Sequence, residues 1–415
     1  MLKVVILLAC LAKTYSNTVP PLILEQPPQE VAFKTDERIE LRCIASGSPQ
    51  PQYKWLLDDN YFDASGIDGR ITQQPGSGTL IFNTPIEKDE GTYQCIAENQ
   101  YGKSLSQKIV FRVAVLERFP QRDNPIVYRP YVGSPLTLNC VPPRSYPSSE
   151  VSWSIVEPGD RLEPLNTTSR ITMDHSGRLH FANVLQKDRR DGNKYVCTVH
   201  NKFIEAFVHG EDAIIEPMGD TIQSRSASLR WASPTAQVAL LGTTHRAKCI
   251  FSGMPTPNTT WDRLEGKVMP PRSRLDSFGQ ELVLENVQYD DAGQYECSGE
   301  NTDIPFRKSF ELVVEAKPYW RSPDTRPKNI QAIEGGHATY VCIADGIPTP
   351  QIFWFINGRP VSQLEPDPNR LVNGGNMTFI NLKKDDTQNI QCNTTNKHGY
   401  LWADSYLNVL AMHLT

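Results

Sequence analysis

The chain has 415 residues, a net charge of −5 and 21% charged residues, with 32 prolines. That length is too great for one compact core and predicts two to four domains. The near-balanced charge gives no long-range pull on nucleic acid, whose binders carry a basic excess. The prolines, and the scarcity of apolar runs with a 3.6-residue period, exclude a mainly helical protein.

In chain order, the first segment is MLKVVILLACLAKTYSNT. Lys3 precedes an apolar run from Val4 to Ala12, too short to span a bilayer, and Thr14 and Ser16 follow as small residues. This pattern predicts a signal peptide over 1–16 and a secreted, extracellular protein. Cys10 leaves with the leader. Eight cysteines remain: Cys43, Cys95, Cys140, Cys197, Cys249, Cys297, Cys342 and Cys392. An even count in an oxidising compartment implies disulfides.

Those cysteines belong to a repeat. Consecutive pairs are 52, 57, 48 and 50 residues apart, and Trp55, Trp153, Trp261 and Trp354 follow the first member at offsets of 12, 13, 12 and 12. Asp89, Asp191, Asp291 and Asp386 stand six residues before the second cysteine. Tyr93, Tyr195 and Tyr295 stand two before it. This is the signature of the immunoglobulin sandwich, in which a B–F disulfide crosses between two sheets, a tryptophan packs on it and a tyrosine pins the corner before strand F. The expected class is all-β, with four tandem immunoglobulin-like sandwiches of the I-set type. Pairing is expected as Cys43–Cys95, Cys140–Cys197, Cys249–Cys297 and Cys342–Cys392. Each closed loop of about 50 residues contributes roughly 4 kcal/mol in the chain-entropy account.

An arginine followed by a branched apolar residue recurs between tryptophan and aspartate, at Arg70, Arg170, Arg274 and Arg370. A planar guanidinium meets a carboxylate bidentately, so the expected structural ion pairs are Arg70–Asp89, Arg170–Asp191, Arg274–Asp291 and Arg370–Asp386. The fourth unit has Ile390 in place of the tyrosine, which predicts its least regular corner there.

The domains are expected at 20–116, 117–216, 224–316 and 317–411. The first and third junctions, VAVLERFP and LVVEAKPY, run strand into strand. The middle stretch EPMGDTIQSRSASL is polar and lacks an apolar period. A free linker of about ten residues reaches about 33–36 Å when extended, enough for the chain to double back. The last strand is expected at SYLNVL, with AMHLT beyond it too short for a membrane helix or lipid-anchor signal.

Four N-x-[ST] sequences mark expected glycosylation at Asn166, Asn258, Asn376 and Asn393. No G-x-S-x-G, H-E-x-x-H, Walker loop or C-x-x-C occurs, so neither enzyme nor cofactor is expected. His175 and His180 flank a turn without a third metal ligand. The acidic doublets lack EF-hand spacing, and the basic run Lys187 to Lys194 contains Asp188 and Asp191. Both read as solvated or structural.

Several stretches go beyond the generic motif: LEQPPQEVAF, QPQYKW and QPGSGTLIF in the first unit, SRITMDHSGRLHFANV in the second, DDAGQYEC in the third, and PDPNRLV, FINLKKDD and NTTNKHGYLWADSYLNV in the fourth. On these the chain resembles the first four immunoglobulin domains of neuroglian-type neural adhesion molecules and the secreted hemolin group. The resemblance implies a horseshoe with domain one against four and two against three. It implies homophilic or heterophilic binding to itself or to related immunoglobulin-superfamily surface proteins, without membrane insertion. The hemolin side implies an innate-immune role with microbial surface glycolipid and haemocytes as partners. A third reading is a soluble fragment or isoform of a neuroglian-like receptor. The framework motifs carry no ligand-binding residues.

Overall fold

A computed structural model describes residues 18–64, 69–120, 124–157, 159, 161–302 and 304–411. The expected signal peptide lies outside these. Among the described residues every regular element is a strand or a short 3₁₀ turn.

Each domain is a sandwich of mainly antiparallel sheets. In the first, Gly91–Asn99 is central, flanked by Gln52–Leu57 and Ile109–Val113, while Ile39–Leu41, Leu80–Phe82 and Ile71–Gln73 form the facing sheet. Period-2 alternation sets the packing: Leu41 and Cys43 are buried while Glu40 and Arg42 face away. Glu30–Phe33 joins the larger sheet in parallel with Ile109–Val113. The same parallel edge pairing recurs in the other three domains.

The sulfur atoms of Cys43 and Cys95, Cys140 and Cys197, Cys249 and Cys297, and Cys342 and Cys392 are bonded. All four tryptophans are buried beside them. Each indole N–H reaches a glycine carbonyl in the turn joining two strands of the facing sheet: Trp55 to Gly78 at 2.6 Å, Trp153 to Gly177 at 2.8 Å, Trp261 to Gly279 at 2.8 Å and Trp354 to Gly374 at 3.3 Å. Glycine suits this approach, since a Cβ at Gly78 would sit 2.6 Å from the Tyr53 ring and 3.0 Å from the Cys95 sulfur. A buried indole N–H left unmade would cost the desolvation of that group, about 1–3 kcal/mol.

The corners show where spacing misleads. Tyr93 donates its hydroxyl to the Asp89 carbonyl at 3.0 Å and Tyr295 to that of Asp291 at 2.8 Å. Arg70 and Asp89 pair side by side, with Nη2 to Oδ1 at 2.9 Å. In domain two the carboxylate facing Arg170 is Asp188 rather than Asp191, through two bonds of 2.7 Å, and Tyr195 donates to the Asp188 carbonyl. The reason is a longer 3₁₀ segment, Gln186–Gly192 against Glu87–Asp89, which moves the corner aspartate away from the cysteine. The side chain of Asp191 lies outside the described residues.

In domain three Asp291 meets Arg272 at 3.1 Å, not Arg274, whose guanidinium turns to Glu285 and Asp276 at the surface. Arg272 stands immediately before the strand Ser273–Asp276, two residues ahead of Arg274. In domain four the expected Arg370–Asp386 pair is not formed. Arg370 donates to the Glu365 carbonyl at 2.7 Å, and Asp386 accepts the Lys383 N–H at 2.7 Å. A different tyrosine bond forms in this domain, from the facing sheet to the strand Gly399–Leu410. Ile390 fills the tyrosine position, and Tyr340, two residues before Cys342, is buried and donates to the Tyr406 carbonyl at 2.9 Å. In the siblings that position holds Leu41, Leu138 or Ala247.

At the first junction Val115–Leu116 follows Ile109–Val113 after one residue and pairs with Ser145–Tyr146 of domain two. The third junction is one strand, Phe306–Trp320, which pairs within domain three and then with Ala344–Ile347 of domain four. Both leave little slack. Between Ile215 and Arg225 no extended strand forms, and the chain reverses there.

Candidate functional site

The reversal brings domain one onto domain four. The strand Gln388–Asn396 turns Ile390, Cys392 and Thr394 into its own core. The opposite face therefore presents Asn389, Gln391 and Asn393, and the neighbouring strand Gly399–Leu410 adds Tyr400, Trp402 and Asp404. This face receives the strands Val19–Glu25 and Gly102–Leu105.

Its polar groups are matched one by one. Gln391 donates to the Leu105 carbonyl at 2.7 Å and accepts the Leu105 N–H at 3.2 Å, as a backbone partner would. Trp402 donates its indole N–H to the same carbonyl at 3.0 Å. Asn389 donates to the Pro21 carbonyl at 2.9 Å. Asp404 accepts the Ile23 N–H at 2.9 Å, the Ser104 hydroxyl, and the Asn389 amide at 2.7 Å. The outer edge of Val19–Glu25 is thus closed by side chains of domain four, which removes an exposed strand edge. At the ends, Tyr400 donates to the Lys108 carbonyl at 3.0 Å and Asn357 accepts the Lys103 N–H at 3.2 Å. A Cβ on Gly102 would meet Asn357 at 2.7 Å. Burial pushes the Asp404 carboxyl up to about 6, against the pull of the Ser104, Ile23 and Asn389 donors.

Domain two meets domain three through the opposite type of sheet. Asn183 is buried and donates to the Gly253 carbonyl at 2.8 Å and to the Thr256 hydroxyl at 3.0 Å. Gln280 donates to the Ser169 carbonyl at 2.8 Å, and Arg230 to the Thr137 hydroxyl at 3.0 Å. His175 lies 2.7 Å from Glu281 and edge-on to Trp231. Burial opposes ionisation of Glu281, but His175, Lys248 and Arg246 outweigh it and hold the carboxyl below its usual range. His180 turns the other way, between Asp174 at 2.8 Å and Thr137 at 3.0 Å. The two histidines therefore do not converge.

Asn166, Asn258 and Asn376 are exposed, whereas Asn393 is only partly so. The contact residues Asn389, Gln391, Trp402 and Asp404 were not singled out in the sequence. Alternating polar residues on a sheet face read equally as a solvated surface. Trp402, an aromatic at an outward position, was the one available signal.

An immunoglobulin-domain family model matches residues 20–99, 229–301 and 317–396. Neuroglian of Drosophila melanogaster is 33% identical over 99% of this chain and 32% of its own length. Neuronal cell adhesion molecule of Rattus norvegicus is 30% identical over 94% of this chain and 34% of its own. The chain spans about a third of the length of these relatives. The crystal structure of the insect immune protein hemolin shares the fold, with a TM-score of 0.78 at 24% identity, covering 94% of this chain and 100% of that one. Sidekick-1 immunoglobulin domains 1–4 give 0.72 at 22% identity, with 94% and 99% covered. The chain belongs to the immunoglobulin-domain family, and its relatives over nearly its full length are neuroglian and the neural cell adhesion molecules.

Proposed function

We propose that this is a secreted cell-adhesion and recognition protein that binds itself or related immunoglobulin-superfamily surface proteins through its domains. The observation that carries the reading is the similarity to adhesion molecules over 94–99% of the chain. The architecture supports it: two pairs of sandwiches, folded back on each other, present a large continuous surface. The signal-peptide pattern at residues 1–16 supports secretion. Among the described residues no helix is long and apolar enough to cross a membrane.

The test is bead aggregation and analytical ultracentrifugation of the purified chain. Clustering of coated beads, or self-association, is expected. A strict monomer that neither clusters beads nor binds cells would count against adhesion. A second reading, an immune protein binding microbial surface glycolipid and haemocytes, is favoured by the fold shared along the whole hemolin chain. It predicts sedimentation of the protein with bacteria or haemocytes, and loses support if neither carries it down.

A further inference from the structure

One side of the domain-four sheet face is still uncovered. Asn393 pairs across the sheet with Trp402 on one flank and with Phe353 on the other. Trp402 is engaged by domain one through Leu105. Phe353 is 48% exposed. The Asn393 amide Oδ1 is buried without a hydrogen-bond partner, although the residue is partly exposed. The amide nitrogen is therefore the outward atom. Asn393 also opens the sequence Asn-Thr-Thr, the acceptor pattern for N-linked sugar.

We propose that Asn393 carries an N-linked glycan whose first N-acetylglucosamine lies over Phe353, on the uncovered flank beside the domain-one seam. In the transfer the amide nitrogen loses a proton and attacks the anomeric carbon of a lipid-diphosphate-linked oligosaccharide. The bond from that carbon to the diphosphate oxygen breaks, and the lipid diphosphate leaves. The apolar face of the sugar ring covers an aromatic side chain that otherwise stands in water. Domain one then covers the strand Gly399–Leu410 and the sugar covers Gln351–Ile356. The domain-four face is closed to a second copy of the chain. Residues 18–116 contain no N-x-[ST] sequence, so domain one keeps a sugar-free surface for contacts between molecules.

This inference rests on passage through the secretory pathway, and the other three acceptor asparagines serve as internal controls. The full chain is expressed with its leader in insect cells. Enzymatic deglycosylation in ¹⁸O water, followed by peptide mass mapping, reads occupancy at each asparagine. Modification is expected at Asn393 as well as at Asn166, Asn258 and Asn376. A bare Asn393 beside three occupied sites overturns the inference, and four bare sites overturn the secretory reading itself. Asn393→Gln is expected to lose one glycan mass and to bind more of an apolar dye. Adding Phe353→Ser should cancel the extra dye binding, and failure to cancel it overturns the placement over Phe353. Small-angle scattering supplies the last arm. A glycosylated wild type that is extended, beside a compact Asn393→Gln, would show that the sugar and the seam exclude each other.

Discussion

Asp89, Asp188 and Asp291 each do three things at one corner. The carboxylate faces an arginine and accepts an N–H three residues upstream, from Ile86, Leu185 or Gln288, while the backbone carbonyl takes the tyrosine hydroxyl. Removing Arg70 would leave Asp89, whose side chain is 6% exposed, as an unpaired buried charge. Loss of such a partner costs about 3–5 kcal/mol. Arg70→Ala and Arg170→Ala are therefore expected to lower the unfolding temperatures of domains one and two in calorimetry. Arg274 lies at the surface, where pairs contribute about 0–1 kcal/mol. Arg272→Ala should destabilise domain three while Arg274→Ala leaves its transition nearly unmoved, and equal effects would contradict the assignment. The cysteine spacing made Arg70–Asp89 legible but not the others. Distance in sequence from a cysteine stands in for the tyrosine corner only while the 3₁₀ turn keeps its length. In domain three Arg272, just before the strand Ser273–Asp276, and Arg274, within it, are two candidates two residues apart, and only packing decides between them.

Among the elements, the strands were legible because alternation and the Cys–Trp–Cys spacing are local signals. Domain four shows what such signals leave out. Its tyrosine has moved from the strand Gln388–Asn396 to the facing strand His337–Val341, so the core keeps one large aromatic there while the anchoring bond starts from the opposite sheet. Burial pushes the Tyr340 hydroxyl far above its ordinary range, and it stays a donor at all working pH. Tyr340→Phe removes that bond at about 1 kcal/mol. Ile390→Tyr adds a second large ring and is expected to cost about 1–3 kcal/mol by overpacking. The double change Tyr340→Leu with Ile390→Tyr restores the sibling arrangement. In a double-mutant cycle it should be more stable than the sum of the single changes, and strict additivity would refute the exchange of roles.

At the scale of the whole molecule, the chain permits folding back because its middle stretch is long, but which faces meet is set by side chains far apart in sequence. Asn389, Gln391 and Asp404 contact residues about 300 or more positions away, and no periodicity encodes such a pairing. The Asp404 carboxyl rises from an ordinary value of 3.8 to about 6 in the closed form. The closed form therefore binds the proton more tightly. Closure is expected to strengthen as pH falls from above 6 towards 3.8, and to weaken as pH rises through 6. Asp404→Asn should abolish that dependence, as read by hydrogen exchange at Ile23 and Leu105 across pH.

The fold-back of domain one onto domain four is tested most directly by small-angle X-ray scattering of the wild-type chain near neutral pH. The structure predicts a pair-distance distribution that ends far short of a linear array of four sandwiches. A rod-like distribution, with regularly spaced maxima and a maximum dimension of four domains end to end, would contradict it.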